Sequence, residues 1–331
     1  MKIIVDCMSG DNAPEAIVEG AIIGANAHDT DVLLVGDENA IRKIIREKNL
    51  PEMRVSIYHT PDAPVTMEDD PSVVMKEKKD SSMALALRLL ADGKGDAVIS
   101  AGNTGALFTG ATLIVRRIKG MRRAALGAIV PLGKPILIVD AGANVDVLPE
   151  HLLDFAHMGE LYMRKVAMVK NPKVGLINNG EEEHKGTELY VNTHKLLKES
   201  DVNFIGNIEG RDVPTGVADI IVCDGFTGNI LLKTCEGFGL FIKKTLSELF
   251  RKNTKTKIGS LFVTDGIKDL KKKMDYSEHG GAPFLGISKP VIKAHGSSNA
   301  KSISFCILQA KNYARSGIIG EFAQLAAKDK N

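Results

Sequence analysis

Short aliphatic runs punctuated by Gly, Asp, Asn or Pro recur along the chain, at Ile3 to Val5, Val32 to Val35, Val55 to Tyr58, Ala97 to Ile99, Leu126 to Val130, Ile136 to Val139, Val174 to Ile177 and Ile220 to Val222. Uniformly apolar runs of this length predict strands buried on both faces, because a half-exposed strand alternates apolar and polar residues. Between them stand segments whose apolar positions have helical spacing: Ala13 to Ala27, Ala40 to Lys48, Met83 to Ala91, Leu152 to Met168 and Glu188 to Glu199. Strand alternating with helix predicts an α/β protein with a mostly parallel, doubly wound sheet. No repeat of fixed period, low-complexity tract or long polar linker divides residues 1–331, so a single composite α/β domain is expected. The pattern loosens over residues 253–280, a lysine-rich amphipathic excursion. There Val263, Ile267, Leu270 and Met274 share one helical stripe, while Lys268, Lys272 and Lys273 fall off it.

Composition adds limits. With 44% hydrophobic residues the chain can bury a large core, and with aromatics at 5% and no Trp that core must be aliphatic. The formal charge of +2, from 43 Lys and Arg against 41 Asp and Glu, argues against a nucleic-acid partner. Charge is nevertheless uneven: no acidic residue lies between Asp96 and Asp140, where Arg116, Arg117, Lys119, Arg122, Arg123 and Lys134 all fall. The four cysteines, Cys7, Cys223, Cys235 and Cys306, have neither C-x-x-C nor zinc-ligand spacing, and reduced thiols are expected. The opening MKIIVDCMSGD lacks the apolar core of a signal peptide, and no apolar run is long enough to span a bilayer. A cytoplasmic protein is expected.

Unusual chemistry follows several of the predicted strands. SAGNTGA, Ser100 to Ala106, combines glycines that admit close backbone approach with Asn103, Thr104 and helix-start amides suited to an anion. VDAGANVD, Val139 to Asp146, and VCDGFTGNILLKTCEG, Val222 to Gly237, repeat the arrangement, the latter placing Asp224 to Asn229 between a strand and a helix. Each loop taken singly reads equally well as a capped βα turn. LINNGEEEHKGT, Leu176 to Thr187, carries Lys185, a cation for phosphate that the neighbouring glutamates could orient, and His184, which reads as a surface residue. DCMSGDNAP (Asp6 to Pro14), YSEHGGAPFLG (Tyr276 to Gly286) and KAHGSSN (Lys293 to Asn299) are also rich in Gly and polar side chains, and they bring His279 and His295 as candidate proton donors. In an open parallel sheet such loops gather outside the carboxyl ends of the strands. There is no G-x-x-x-x-G-K-[ST] phosphate loop, no G-x-G-x-x-G after the first strand and no G-x-S-x-G elbow. Nor is there a cluster of metal ligands. Neither metal nor cofactor is expected.

Taken in order, DCMSGDNAP, SAGNTGA, VDAGANVD, NNGEEEHKGT, NIEGRD, CDGFTGNILLKTCEG, YSEHGGAPFLG and KAHGSSN resemble the bacterial phosphate acyltransferase family, PlsX, from Asp6 to Asn299. The resemblance implies an isopropylmalate/isocitrate dehydrogenase-like and phosphotransacetylase-like fold and a homodimer. It also implies reversible transfer of a fatty acyl group from acyl carrier protein to inorganic phosphate, giving acyl phosphate for phospholipid synthesis. Phosphate is already a nucleophile and a thioester already activated, so direct attack needs positioning and oxyanion stabilisation rather than an acyl-enzyme. On that reading Lys185 neutralises phosphate, Asn229 polarises the thioester carbonyl and His295 protonates the departing thiolate. Ser100, Gly102, Asn103, Thr104 and Gly105, with Asn144, Asp224, Gly225, Thr227 and Gly228, form the substrate-binding set. Arg116 to Arg123 would face the acidic carrier protein, and residues 253–280 would meet either a dimer partner or an anionic membrane at the inner face of the cell membrane. The alternatives are a short-chain phosphotransacetylase using acyl-CoA and a non-catalytic carrier-protein or membrane adaptor.

Overall fold

A computed structural model describes residues 1–267 and 280–328. His279, and the part of the amphipathic stripe with Lys268, Leu270, Lys272, Lys273 and Met274, lie outside the described residues. The strands are β1 (Lys2–Asp6), β2 (Asp31–Gly36), β3 (Val55–His59), β4 (Ala97–Ser100), β5 (Ala125–Leu132), β6 (Lys134–Val139), β7 (Val174–Asn178), β8 (Phe204–Glu209), β9 (Ile220–Val222), β10 (Ala282–Leu285) and β11 (Val291–Lys293). The helices are α1 (Glu15–Ala27), α2 (Glu38–Glu47), α3 (Ser82–Ala91), α4 (Thr104–Gly110), α5 (Pro149–Lys165), α6 (Glu188–Glu199), α7 (Gly225–Arg251), α8 (Thr254–Phe262), α9 (Ala300–Arg315) and α10 (Ile318–Lys328). Every aliphatic run predicted as a strand forms one. All residues of β4 and β9 are buried, as a strand covered on both faces requires.

The strands make one 11-stranded sheet in the order β3-β2-β1-β4-β11-β10-β5-β6-β9-β7-β8. Pairing is parallel except where β10 meets β11 and β5 and where β5 meets β6. Those reversals have a consequence for function. The strands from β3 to β11 point one way and those from β6 to β8 the opposite way, so the loops after the two parallel halves leave from opposite strand ends.

Side chains cap the helices that carry chemistry. Asp37 caps α2, Ser81 α3, Asn103 α4, Asp224 α7 and Asn299 α9, each accepting from an amide of the first turn. One face of the β1–β4 half is covered by α1, α2 and α9 through Ile17, Ile22, Ile41, Ile303 and Ile307. Helices α1 and α9 press together at Gly20, where an added Cβ would lie 2.4 Å from the Ala300 carbonyl oxygen. On the other half α5 and α10 contribute Phe155, Tyr162 and Phe322 to a core with Leu137 and Val222. A third cluster, with Leu87, Leu107, Ile138 and Phe284, spans both halves and draws in Leu231, Leu232 and Cys235 of α7.

Candidate active site

The predicted site residues fall into two loop groups, because the two parallel halves of the sheet run oppositely. The first surrounds the start of α7. Residues Gly225 to Asn229 are not a loop between strand and helix; they are the opening turns of α7, and Asp224 is its cap. The Asp224 carboxylate accepts from Thr227 N at 2.9 Å, from the Thr227 hydroxyl at 2.7 Å and from the Tyr190 hydroxyl at 2.6 Å. Burial alone would raise the Asp224 pKa, but these donors outweigh it and hold the carboxyl below the usual value. Tyr190 is pushed up correspondingly, by burial first and then by its bond to Asp224.

Buried Asp140 shapes the neighbouring turn. It accepts from the amides of Leu126, Gly142, Ala143 and Asn144 and from the Asn144 carboxamide at 2.7 Å. Desolvation still raises its pKa against the pull of those donors. Asn144 donates also to the Ala124 carbonyl at 2.8 Å, so its side chain is turned into the fold and bridges β5 to the turn. Gly225 N donates to Asn144 O at 2.7 Å, and a Cβ at Gly228 would lie 1.9 Å from Asp140 O. Glycine is needed at both positions for α7 to start against this backbone. Asn229, one turn in, is exposed, and its carboxamide has no hydrogen-bond partner among the described residues. Across from it Gly142 (φ +133°) leaves the space a side chain would fill, 3.5 Å from Asn229 Oδ1.

Lys185 sits on the loop before α6, the helix that supplies Tyr190. Its amide donates to Glu182 O at 3.0 Å, and its carbonyl accepts from the Asn178 carboxamide at 3.0 Å. The half-buried side chain runs over Gly180, and its ammonium makes no ion pair with a described residue. Among its acidic neighbours, Glu183 binds Lys198 at 2.6 Å rather than orienting Lys185. His184 is exposed, as expected.

The second group lies after β1, β4 and β11. Asp6, fully buried, accepts from the Ser82 and Ser100 hydroxyls, each at 2.6 Å, and the Ser100 oxygen in turn accepts from Gly102 N at 3.2 Å. The Asn103 side chain is engaged within the protein: it caps Ala106 N and donates to the carbonyls of Thr66, Met67 and Asp69. What Thr104 and Gly105 then offer a ligand is the first-turn backbone of α4. Asn12 donates to the carbonyls of Ser297 and Ser298, fastening the loop after β1 to the one after β11. His295 Nδ1 pairs with the Ser297 hydroxyl at 2.8 Å, while Nε2 stands 3.7 Å from Glu236 on α7, which also binds Lys233. Helix α7 thus links the two groups. From Asn229 to Glu236 it covers about 10 Å.

The sequence pointed to these loops by their Gly, Asn and His content, and it missed Tyr190, Asp140, Glu236 and Lys233. Tyr190 and Asp140 act by burial against chain segments distant in sequence, and helical spacing alone gives Lys233 and Glu236 no partner. Burial raises the thiols of Cys7 and Cys223 well above the usual cysteine value and that of Cys306 to about 12; Cys235 is also raised. All are held as thiols, which removes the thiolate a cysteine nucleophile needs.

The sequence profile of the family described as "Fatty acid synthesis protein" matches residues 1–321. The chain is 45% identical to a phosphate acyltransferase of Alkaliphilus oremlandii (strain OhILAs), over 98% of this chain and 97% of that protein. It is 46% identical to a phosphate acyltransferase of Acetivibrio thermocellus, over 98% and 96%. Among solved structures, a phosphotransacetylase from Streptococcus pyogenes superposes with a TM-score of 0.64 at 15% identity, covering 94% of each chain. A branched-chain phosphotransacylase from Enterococcus faecalis V583 gives 0.59 at 15% identity, over 96% of this chain and 100% of that one. At such identities these two establish a shared fold. With the profile and the full-length relatives, the chain belongs to the PlsX family of phosphate acyltransferases and is an acyltransferase.

Proposed function

We propose that this enzyme transfers a long fatty acyl group from acyl carrier protein to inorganic phosphate, supplying acyl phosphate for phospholipid synthesis. The observation that carries the long-chain reading is the surface of α7. Phe226 and Ile230, one helical turn apart and both exposed, put an apolar surface directly beside Asn229 at the start of the helix. An acetyl group has no use for such a surface. A fatty chain, buried at about 0.8 kcal/mol per CH₂, has.

In this reading a phosphate oxygen attacks the thioester carbonyl carbon, and the carbonyl pair moves onto oxygen. Collapse of that tetrahedral adduct expels the carrier thiolate and leaves acyl phosphate. Asn229, whose carboxamide is free, donates to the oxyanion; one such donor contributes about 10²–10³ in kcat. Lys185 neutralises the incoming phosphate. His295, in the loop after β11 with Nε2 3.7 Å from Glu236, stands beside a point on α7 about 10 Å from Asn229 and serves the phosphate-group side rather than the leaving sulfur. The exposed Arg116, Arg117, Lys119, Arg122 and Arg123 form a basic stretch that ends next to Ala124, whose carbonyl Asn144 holds, and an acidic carrier protein would dock on it.

No helix among the described residues is long and apolar enough to cross a membrane. The outer half of α7 is assigned to a second copy of the chain, and α8, with exposed Ile258 and Phe262, to a peripheral membrane contact.

The test is formation of hydroxylamine-trappable acyl phosphate from palmitoyl carrier protein and phosphate. Equal or better turnover with acetyl-CoA would favour the short-chain enzyme, and no product from either donor the adaptor. Lys185→Ala is expected to raise KM for phosphate and Asn229→Ala to depress kcat; a folded Lys185→Ala protein with wild-type kinetics removes Lys185 from the mechanism.

A further inference from the structure

Strand β8 has one residue more than its pairing with β7 requires. Val174 pairs with Phe204 and Leu176 with Asn207, so three steps along β8 answer two along β7. The extra residue falls at Ile205–Gly206, where Gly206 takes φ +100° with nothing within 4 Å of an added Cβ. In a regular strand, residues an odd number of steps apart point to opposite faces. The bulge instead turns Phe204 and Asn207 to the same side, and both meet His194 of α6. The imidazole lies edge-on to the Phe204 ring with centroids 5.1 Å apart, and its Nδ1 is 2.9 Å from Asn207 Oδ1.

His194 and Asn207 are 4% and 6% exposed. Asn207 Nδ2 donates to the Glu182 carbonyl at 2.9 Å. That carbonyl can only accept, so the Asn207 oxygen faces the imidazole and His194 carries its proton on Nδ1. His194 Nε2 is 3.9 Å from Glu183, whose carboxylate binds Lys198. The Glu182 carbonyl oxygen held by Asn207 also accepts from Lys185 N at 3.0 Å, and the Lys185 carbonyl accepts from Asn178. The Lys185 backbone is thus held on both sides, and its stem runs close over Gly180, where an added Cβ would lie 2.9 Å from Lys185 Cγ.

Replacing both members of a buried hydrogen-bonded pair by apolar groups of the same shape can be nearly neutral in stability. What an apolar pair could not do is hold the Glu182 carbonyl. Bulges recur beside active sites, where they re-aim a side chain. We propose that Asn207, oriented by His194, is a positioning residue for Lys185. It touches no ligand; it fixes the Glu182–Lys185 turn from which the ammonium reaches phosphate. The proposal rests on the reading of Lys185 as the group that neutralises phosphate.

Hydrogen exchange and steady-state kinetics on the full chain test it together. In Asn207→Leu, exchange over residues 180–187 should rise about tenfold, while exchange in β1, in the other half of the sheet, stays as it was. KM for phosphate should rise about tenfold, with kcat and KM for palmitoyl carrier protein within about twofold of wild type. His194→Phe should act in the same direction. His194→Asn, whose amide nitrogen takes the place of Nδ1, should restore both readouts. In a Lys185→Ala background, Asn207→Leu should add nothing to KM for phosphate, since residues acting through one contact are not additive. Wild-type exchange in Asn207→Leu overturns the proposal, as does an unchanged KM for phosphate where Lys185→Ala raises it. So does a full effect of Asn207→Leu in the Lys185→Ala background. If Asn207→Leu fails to fold, His194→Phe against His194→Asn decides. A wild-type KM for phosphate in Lys185→Ala sinks the phosphate reading, and raised exchange in Asn207→Leu then leaves the anchored turn standing without it.

Discussion

Gly228→Ala tests the coupling between backbone packing and catalysis most directly. The new methyl would lie 1.9 Å from Asp140 O, 3.0 Å from Asp140 C and 2.8 Å from Cys223 Sγ. An ordinary contact needs about 3.5 Å, so the first turn of α7 must retreat by more than an ångström. Two of the three obstacles are backbone, held in place because Asp140 itself collects several amide hydrogen bonds. Overpacking of this kind costs about 1–3 kcal/mol, which for a chain of this length lowers Tm by about 2–4 °C. The same displacement carries Asn229 with it, and a misplacement of about 1 Å is worth on the order of 10²-fold in rate. Gly237→Ala is the control on the same helix, since nothing lies within 4 Å of its added Cβ; it should stabilise by about 0.5–1 kcal/mol and leave kcat alone. Thermal unfolding with acyl phosphate assays on both variants reads the two effects. A Gly228→Ala protein with wild-type Tm and rate would refute the packing argument.

Tyr190→Phe removes the hydroxyl that donates to Asp224 and should cost about 1.5–3 kcal/mol at pH 7. Because the folded Asp224 pKa is depressed, its contribution is present above the unfolded value near 3.8 and lost as pH falls through the folded one; urea titrations should therefore show the gap between wild type and variant closing toward pH 3. Cys223→Ala and Cys235→Ala, being substitutions of protonated thiols, should retain turnover, and complete loss in a folded variant would reinstate a covalent intermediate. Phe241→Glu, on the outer part of α7, should shift the protein to monomer in light scattering while Phe262→Glu on α8 should reduce liposome flotation without changing oligomeric state. The reverse pattern would exchange the two assignments.

Most strands that were legible are largely buried aliphatic runs; β3 was legible from Val55, Ile57 and Tyr58, yet none of its residues is buried, because it is an edge strand of the sheet. β8 was not legible, because only Asn207 and Ile208 of it are buried and Gly206 and Asn207 interrupt its apolar residues. Nor were β10, whose four residues include Pro283 and lie between Gly281 and Gly286, and β11, which follows Pro290 and ends at Lys293. Loop chemistry was legible from Gly and Asn content, whereas the direction each side chain takes was not. Asn103 and Asn144 look alike in sequence to Asn229, yet the first two bond inward to carbonyls and only Asn229 presents a free carboxamide. Grouping was hidden for a topological reason. Nothing local in the sequence announces that β5 and β10 reverse the sheet between its two parallel halves.

That reversal also bears on how the chain is made. β11 and β10 stand between β4 and β5, although they are translated long after both. Until residue 293 has left the ribosome, β4 and β5 each keep an open edge, the kind of surface that recruits foreign strands. The half from β6 to β8 has all its strands by Val222, whereas the half from β3 to β11 waits for residue 293, and a chain stopped short of β10 would keep both open edges and be an aggregation hazard rather than a smaller enzyme.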